Sequence, residues 1–263
     1  MNNLSVDEIL YICKFLELRD KIAWLSTCKY SRSTLARLRI KEAVDLDSAL
    51  RCPYQYRCIF LNIIAWHNFT HYTLRPFREI FHNLQNMTFN ITKPPIGFSD
   101  MLQGLQRLKF LSYFDSSVTL PNGLQAVYFG PVFNRPIVLP PGLKIAVFGW
   151  DFNQNVTLPE GLIFVIFDYR FDKHVDLPNT LISASFGDMF NQKIILPDSL
   201  KKVSFGKNFN QDITLPAGLT TAKFHKNYTG KLTFPAKNSL VDLFVGINYP
   251  HELPGGNIVN KWF

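Results

Sequence analysis

At 263 residues the chain is long enough for one or two domains with a substantial core. With 47% hydrophobic and 18% charged residues it is not intrinsically disordered, and no apolar run reaches the roughly 20 residues of a membrane-spanning helix. A formal net charge of +8 leaves attraction to nucleic acid or to an acidic partner open.

The first 45 residues read as helical. Ser5 followed by Glu8 forms a capping box, and Asp7 lies in the first turn, where a helix favours negative charge. Ile9, Ile12 and Leu16 recur at helical spacing, flanked by Leu10 and Phe15. Asp20 can cap a second helix carrying Ile22, Leu25 and Cys28. A third is predicted from about Ser31 to Ala43, with Leu35 and Leu38 among Arg32, Arg37, Arg39 and Lys41. Three short helices give a thin core, so the segment needs a partner surface. Asp7 and Glu8 stand where a secretory signal would be basic and then apolar, which predicts a chain that is not secreted. Cys13, Cys28, Cys52 and Cys58 form no disulfide framework for this size and fit a reducing, intracellular location.

The runs Leu4-Ser5-Val6-Asp7-Glu8-Ile9-Leu10, Phe15-Leu16 and Ile22-Ala23-Trp24-Leu25-Ser26-Thr27-Cys28-Lys29 resemble an F-box. Ser5 replaces the family's usual Pro, and Tyr30-Ser31-Arg32 replaces its aromatic-Arg ending. The resemblance implies docking onto a Skp-type adaptor and, through it, a cullin complex. Leu4, Ile9, Leu10, Phe15, Leu16, Ile22 and Leu25 would be divided between the domain's own core and that adaptor. The alternative is a helical cap on the repetitive remainder of the chain.

Residues 46–83 read as a linker and N-terminal cap. Tyr56, Ile59, Leu61 and Ile63 predict a strand, and Arg75-Pro76 predicts a break before a short helix from Phe77 to His82. Cys52, Cys58, His67 and His71 are the ligand types of a tetrahedral zinc site, but their spacing fits no finger, so no metal or other cofactor is expected. Nor is this a metalloprotease helix, because Asn68 stands where the Glu base belongs.

From residue 84 to 254 the chain repeats. Leu-Pro recurs every nineteen residues from Leu120-Pro121 to Leu215-Pro216, then as Phe234-Pro235 and Leu253-Pro254. Between them run Phe114-Asp115, Phe133-Asn134, Phe152-Asn153, Phe171-Asp172, Phe190-Asn191 and Phe209-Asn210. A third column is Phe129, Phe148, Phe167, Phe186, Phe205 and Phe224. Leu84, Met87 and Phe89 begin the series, and Pro94-Pro95-Ile96-Gly97 adds two residues before Leu105, Leu108 and Phe110. A constant period predicts about nine stacked coils. Val127 and Phe129 alternate with Ala126 and Tyr128, which predicts a strand with one buried face. Ile137 and Leu139 form an extended return, and Pro140 with Gly142 turns the chain. Thr180 and Ser199 replace that Gly in two coils, so the turn does not require a left-handed residue. Nineteen residues leave no room for a helix between strands, so the strands should pair in parallel. The Asn column should form a ladder bonding the next coil's loop, with Asp115 and Asp172 as equivalent acceptors and Thr229 a weaker one.

The motif Phe133-Asn134-Arg135-Pro136-Ile137 resembles an FNIP repeat, as does Phe209-Asn210-Gln211-Asp212-Ile213. The resemblance implies kinship with leucine-rich repeats. Together with the F-box, the chain is similar to F-box and FNIP-repeat proteins encoded by large amoeba-infecting DNA viruses. That implies a substrate receptor of a cullin-based ubiquitin ligase in the host cytoplasm. The expected class is α+β: a three-helix F-box over 1–45, then a leucine-rich-repeat-like parallel β-solenoid. Two residues added before Leu240 and a tail over 255–263 read as the C-terminal cap.

Function should lie where the columns stop repeating. Outward positions carry Gln106, Arg107 and Lys109 early, and Lys201, Lys202, Ser204 and Lys223 late. Between them stand Tyr128, Ile145, Val147, Phe164 and Ile166, with Trp150 and Tyr169 just beyond the strands. An apolar patch rimmed by charge is a candidate target site, unless a loop, a twin molecule or the tail residues Ile258, Val259, Trp262 and Phe263 cover it. His174 and His225 lack an evident nucleophile and read as surface residues, so no catalysis is expected. Eight Lys lie between Lys193 and Lys237, but they are scattered over several columns, so nucleic-acid binding trails protein binding.

Overall fold

The computed structural model describes residues 39–45, 59–65, 86–89, 102–111, 113–237, 239–253 and 259–262. Its strands, in chain order, are β1 (Arg39–Asp45), β2 (Ile59–Ala65), β3 (Asn86–Phe89), β4 (Arg107–Phe110), β5 (Ala126–Tyr128), β6 (Ile145–Phe148) and β7 (Phe164–Phe167). The remaining strands are β8 (Ser183–Phe186), β9 (Lys202–Phe205), β10 (Ile213–Thr214), β11 (Thr221–Lys223), β12 (Leu232–Thr233), β13 (Asp242–Gly246) and β14 (Val259–Trp262). All but β10 and β12 form one 12-stranded sheet in sequence order. Every pairing in it is parallel. β10 and β12, on the return limb of successive coils, pair in parallel as well. The register Ala126↔Ile145↔Phe164↔Ser183↔Lys202↔Thr221 repeats the nineteen-residue step. Two extra residues enter between Asn86 and Arg107 and again between Thr221 and Asp242, as the loop at Pro94 and the insertion before Leu240 predict.

The inward columns of the strands are buried. Leu108, Val127, Ala146, Val165, Ala184, Val203 and Ala222 form one, and the Phe column forms the next. The Phe rings stack along the solenoid from Phe89 to Phe224, with centroids 5.0–5.8 Å apart. A second stack runs from Phe114 to Tyr228 and Tyr249 at 5.8–6.1 Å. Within each coil the two columns touch at 3.8–4.4 Å. Near-parallel rings joined both along and across the stack tie every coil to its neighbours.

The Asn column is a hydrogen-bonded ladder. The backbone N–H of Asn134, Asn153, Asp172, Asn191, Asn210 and Thr229 each donates to the side-chain oxygen nineteen residues earlier, at 2.7–3.0 Å. Asp115 and Asp172 serve as acceptors beside the Asn residues. Loop amides that would lack a partner inside a packed array are thereby satisfied.

Each Leu-Pro turn from Pro121 to Pro216 closes with an N–H to C=O bond, as from Leu143 to Pro140 at 3.1 Å. Of the turn glycines, Gly161 has a positive φ of 118°. Thr180 and Ser199 use the turn differently: their hydroxyls donate to the carbonyls of Leu162 and Leu181 in the preceding coil, at 2.9 and 2.7 Å. The glycine after the inner Phe is a separate matter. A Cβ on Gly149 would collide with the Gly130 backbone, and one on Gly187 with Asp168, so adjacent coils approach too closely there for a side chain.

At the C-terminal end tyrosines replace the phenylalanines of the second stack. The Tyr228 hydroxyl donates to Gln211 C=O at 3.0 Å. The Tyr249 hydroxyl donates to Gly230 C=O at 2.9 Å and accepts from Leu232 N–H at 3.0 Å. Tyr249 thus satisfies the open edge of β12 where a further return strand would otherwise pair. Burial pushes the Tyr228 phenol well above its ordinary value, with Tyr249 and Asp212 adding to it. Burial also raises Tyr249, against the lowering effect of the Leu232 amide.

Helical spacing predicts a third helix reaching Ala43, but Arg39–Asp45 is β1, paired in parallel with β2 through a register irregularity between Ile40 and Ala43. Pairing with the apolar run Ile59–Ala65 overrides the helix propensity of Lys41-Glu42-Ala43. No helix occurs among the described residues, which form a parallel β-solenoid; of the 1–45 segment expected to supply the α part, only Arg39–Asp45 is described. The first two helices, and with them Leu4, Ile9, Leu10, Phe15, Leu16, Ile22 and Leu25, lie outside the described residues. Tyr56, the helix at Phe77–His82 and the group Cys52, Cys58, His67 and His71 lie outside them too. Val259–Trp262 is not a cover over the central coils: it adds β14 beside β13 at the end of the sheet. Ile258 and Phe263 lie outside the described residues.

Candidate protein-interaction surface

Two columns of side chains face outward from the sheet, because alternate residues of each strand point away from the core. In register order from β4 to β11 the first reads Arg107, Ala126, Ile145, Phe164, Ser183, Lys202 and Thr221. The second reads Lys109, Tyr128, Val147, Ile166, Ser185, Ser204 and Lys223. The face therefore passes from cationic to apolar over β5–β7, then to hydroxyl-bearing, then back to cationic.

Tyr128, Ile145, Val147, Phe164 and Ile166 come together as expected, opposite the buried Phe148 and Phe167. They are half-buried and not fully exposed, since strands roughly 4.8 Å apart let each side chain shield its neighbours. Ala126, an outward residue, is buried, its methyl too short to reach past Arg107 and Ile145 on either side. Trp150 and Tyr169 stack at 4.2 Å with 12° between their rings, extending the patch beyond the C-terminal ends of β6 and β7. Trp150 keeps 47% of its surface exposed, held next to the Arg170–Asp151 ion pair at 3.1 Å.

Ile163 and Ile182, missed by strand alternation, widen the patch at the other end of the strands with 43% and 40% exposure. The signal was present in the column preceding each strand, Gln106, Gln125, Lys144, Ile163, Ile182 and Lys201, where apolar residues interrupt a polar series. Backbone bonds from Ile163 N–H to Lys144 C=O and from Ile182 N–H to Ile163 C=O, both 2.9 Å, hold these residues in line. Beyond them Ser204 donates to Ser185 at 2.7 Å, so these two hydroxyls pair with each other.

His174 contacts Asp176 at 3.3 Å with both side chains largely exposed, and His225 Nδ1 accepts from Asn227 N–H at 3.3 Å. Neither meets a nucleophile in these contacts. Among the described residues no group of His, Cys, Asp or Glu is arranged to hold a metal ion. Among the same residues no helix is long and apolar enough to cross a membrane.

Comparison with known proteins agrees with the repeat pattern. Residues 173–208 and 190–227 match the FNIP Repeat model, each window spanning about two coils. No curated protein matches the chain. Among solved structures, the crystal structure of CroV588, a novel circular LRR protein structure, is similar at 23% identity and a TM-score of 0.45, over 77% of this chain and 39% of that one. The array from Lys173 to Asn227 is therefore similar to FNIP repeats.

Proposed function

We propose that this chain is a non-catalytic target-recognition protein whose binding surface is the outward apolar patch over β5–β7. The observation that carries the reading is the break in the outward columns. Tyr128, Ile145, Val147, Phe164 and Ile166 form a contiguous apolar area on a face that is charged or hydroxyl-bearing to either side. Core positions keep their residue types from coil to coil because stacking demands it, whereas nothing in the stacking demands apolar residues on this face.

In its fuller form the proposal makes the chain the substrate-recognition adaptor of a cullin-based, SCF-type ubiquitin ligase acting in a host cytoplasm. Its N-terminal segment would dock a Skp-type adaptor through Leu4, Ile9, Leu10, Phe15, Leu16, Ile22 and Leu25. The F-box resemblance of residues 4–29 supports this, and β1 limits such a segment to the residues before Arg39. The second reading is a protein-binding solenoid without a ubiquitin role. Co-purification of the full chain with a purified Skp-type adaptor, against the chain lacking residues 1–38, decides between them. Loss of the adaptor on deletion is expected; equal recovery removes the ubiquitin reading. Phe164→Asp with Ile166→Asp, in a protein that retains its far-UV spectrum, should abolish target capture. Unchanged capture removes the patch.

A further inference from the structure

Within the patch reading, the charges around the apolar area define the partner more closely. From β4 to β11 the two outward columns contain four cations, Arg107, Lys109, Lys202 and Lys223, and no carboxylate. Arg107, Lys109 and Lys202 are exposed and make no ion pair among the described residues. Lys223 lies 5.0 Å over the Phe244 ring. One strand further, Asp242 of β13 stands beside Thr221 in the first column, on the far side of Lys202 from the apolar area, and the carboxylates beyond the ends of β6–β8 are engaged. Asp168 and Asp188 accept the amides of Tyr169 and Lys207, and Asp151 pairs with Arg170. The apolar area is thus bracketed along the solenoid by cations at β4 and β9.

We infer that the partner is an acidic-flanked apolar segment lying across the strands, its centre on Val147, Phe164 and Ile166 and its carboxylates on Arg107, Lys109 and Lys202. Five strand spacings of roughly 4.8 Å separate β4 from β9, so the segment spans about 24 Å. That is about sixteen residues as a helix, or about seven as an extended chain. A second copy of this chain fits the face poorly, since the cations bracketing the apolar area on each copy would meet with no carboxylate in the columns from β4 to β11 to pair with them. The apolar centre supplies desolvation, and the cationic brackets set register and orientation and accelerate encounter.

The test is selection of a random sixteen-residue displayed peptide library on the intact chain, with counter-selection on the folded Phe164→Asp/Ile166→Asp variant. The expected result is patch-dependent peptides with an apolar centre and Asp or Glu toward both ends. Arg107→Glu with Lys109→Glu should weaken them about tenfold at low salt and only about twofold at 0.5 M salt, because rim charges act through screened electrostatics. Patch-dependent peptides without acidic flanks overturn this inference but leave the patch as a binding surface. Absence of any patch-dependent peptide overturns both. Self-association of the intact chain, lost in the Phe164→Asp/Ile166→Asp variant, would assign the face to a second copy and likewise overturn the inference.

Discussion

Asn210 shows what a single rung contributes. Its Oδ1 accepts the Thr229 N–H at 2.7 Å, the Thr229 hydroxyl at 3.0 Å and the N–H of the buried Gly230 at 2.9 Å. Asn210→Ala leaves those donors without that acceptor, at a cost of about 1–3 kcal/mol. Asn210→Asp retains the acceptor and should cost clearly less; urea midpoints of the two variants check the order. Aspartate already occupies rungs 115 and 172, with Asn134 and Asn153 between them, so no two carboxylates stack directly. Direct stacking would put like charges roughly 4.8 Å apart, so the alternation keeps the acceptor while limiting repulsion. The sequence made the ladder legible because side chains at one period must meet. It did not disclose why Gly149 recurs, since the collision with Gly130 exists only once coils stack.

At the scale of elements, the ends of the array differ from its middle. The phenols of Tyr228 and Tyr249 bond backbone carbonyls of the last coils, and burial favours their neutral forms. An unfolded tyrosine ionises near pH 10, whereas folded Tyr228 holds its proton to higher pH. The folded state therefore binds more protons above about pH 10, and stability falls with rising pH there, by up to about 1.4 kcal/mol per unit for Tyr228. Tyr228→Phe retains the ring and removes the titrating group. Its stability loss between pH 9 and pH 11 should be smaller than that of the parent, which urea melts at the two pH values would show; equal losses would contradict the assignment. The strand β1 is the element that sequence misjudged. Its residues satisfy a helical pattern locally, and only the apolar partner at Ile59–Ala65 makes the extended form better.

For the whole molecule, stability is a sum over neighbouring coils, because the aromatic stacks and ladder bonds run from each coil to the next. Excising residues 183–201 removes one full period and brings Lys202 into the register of Ser183, beside Phe164. That variant should fold with a lower urea slope and midpoint, since less surface is exposed on unfolding. Removing one residue fewer would reverse which side chains face inward along the next strand, and should give a variant without a cooperative transition. The patch over β5–β7 lies on the retained side of the excision, so binding at the apolar centre should survive the first deletion, while the bracket at Lys202 moves one strand spacing, roughly 4.8 Å, closer to it.

The period by itself determined the parallel coils, the buried Phe and Leu columns and the hydrogen-bonded ladder, because a residue type repeated at a fixed interval has one way to satisfy itself in a stack. Alternation likewise located Tyr128, Ile145, Val147, Phe164 and Ile166 on the outer face. Tertiary structure decided what depends on distant segments meeting. It recruited Arg39–Asp45 and Val259–Trp262 to the two ends of the sheet, and joined Trp150 to Tyr169 as a stacked pair. It also buried Ala126 while leaving Ile163 and Ile182 exposed. Those outcomes depend on side-chain reach and backbone approach across coils, neither of which is encoded in the spacing of residues along one chain.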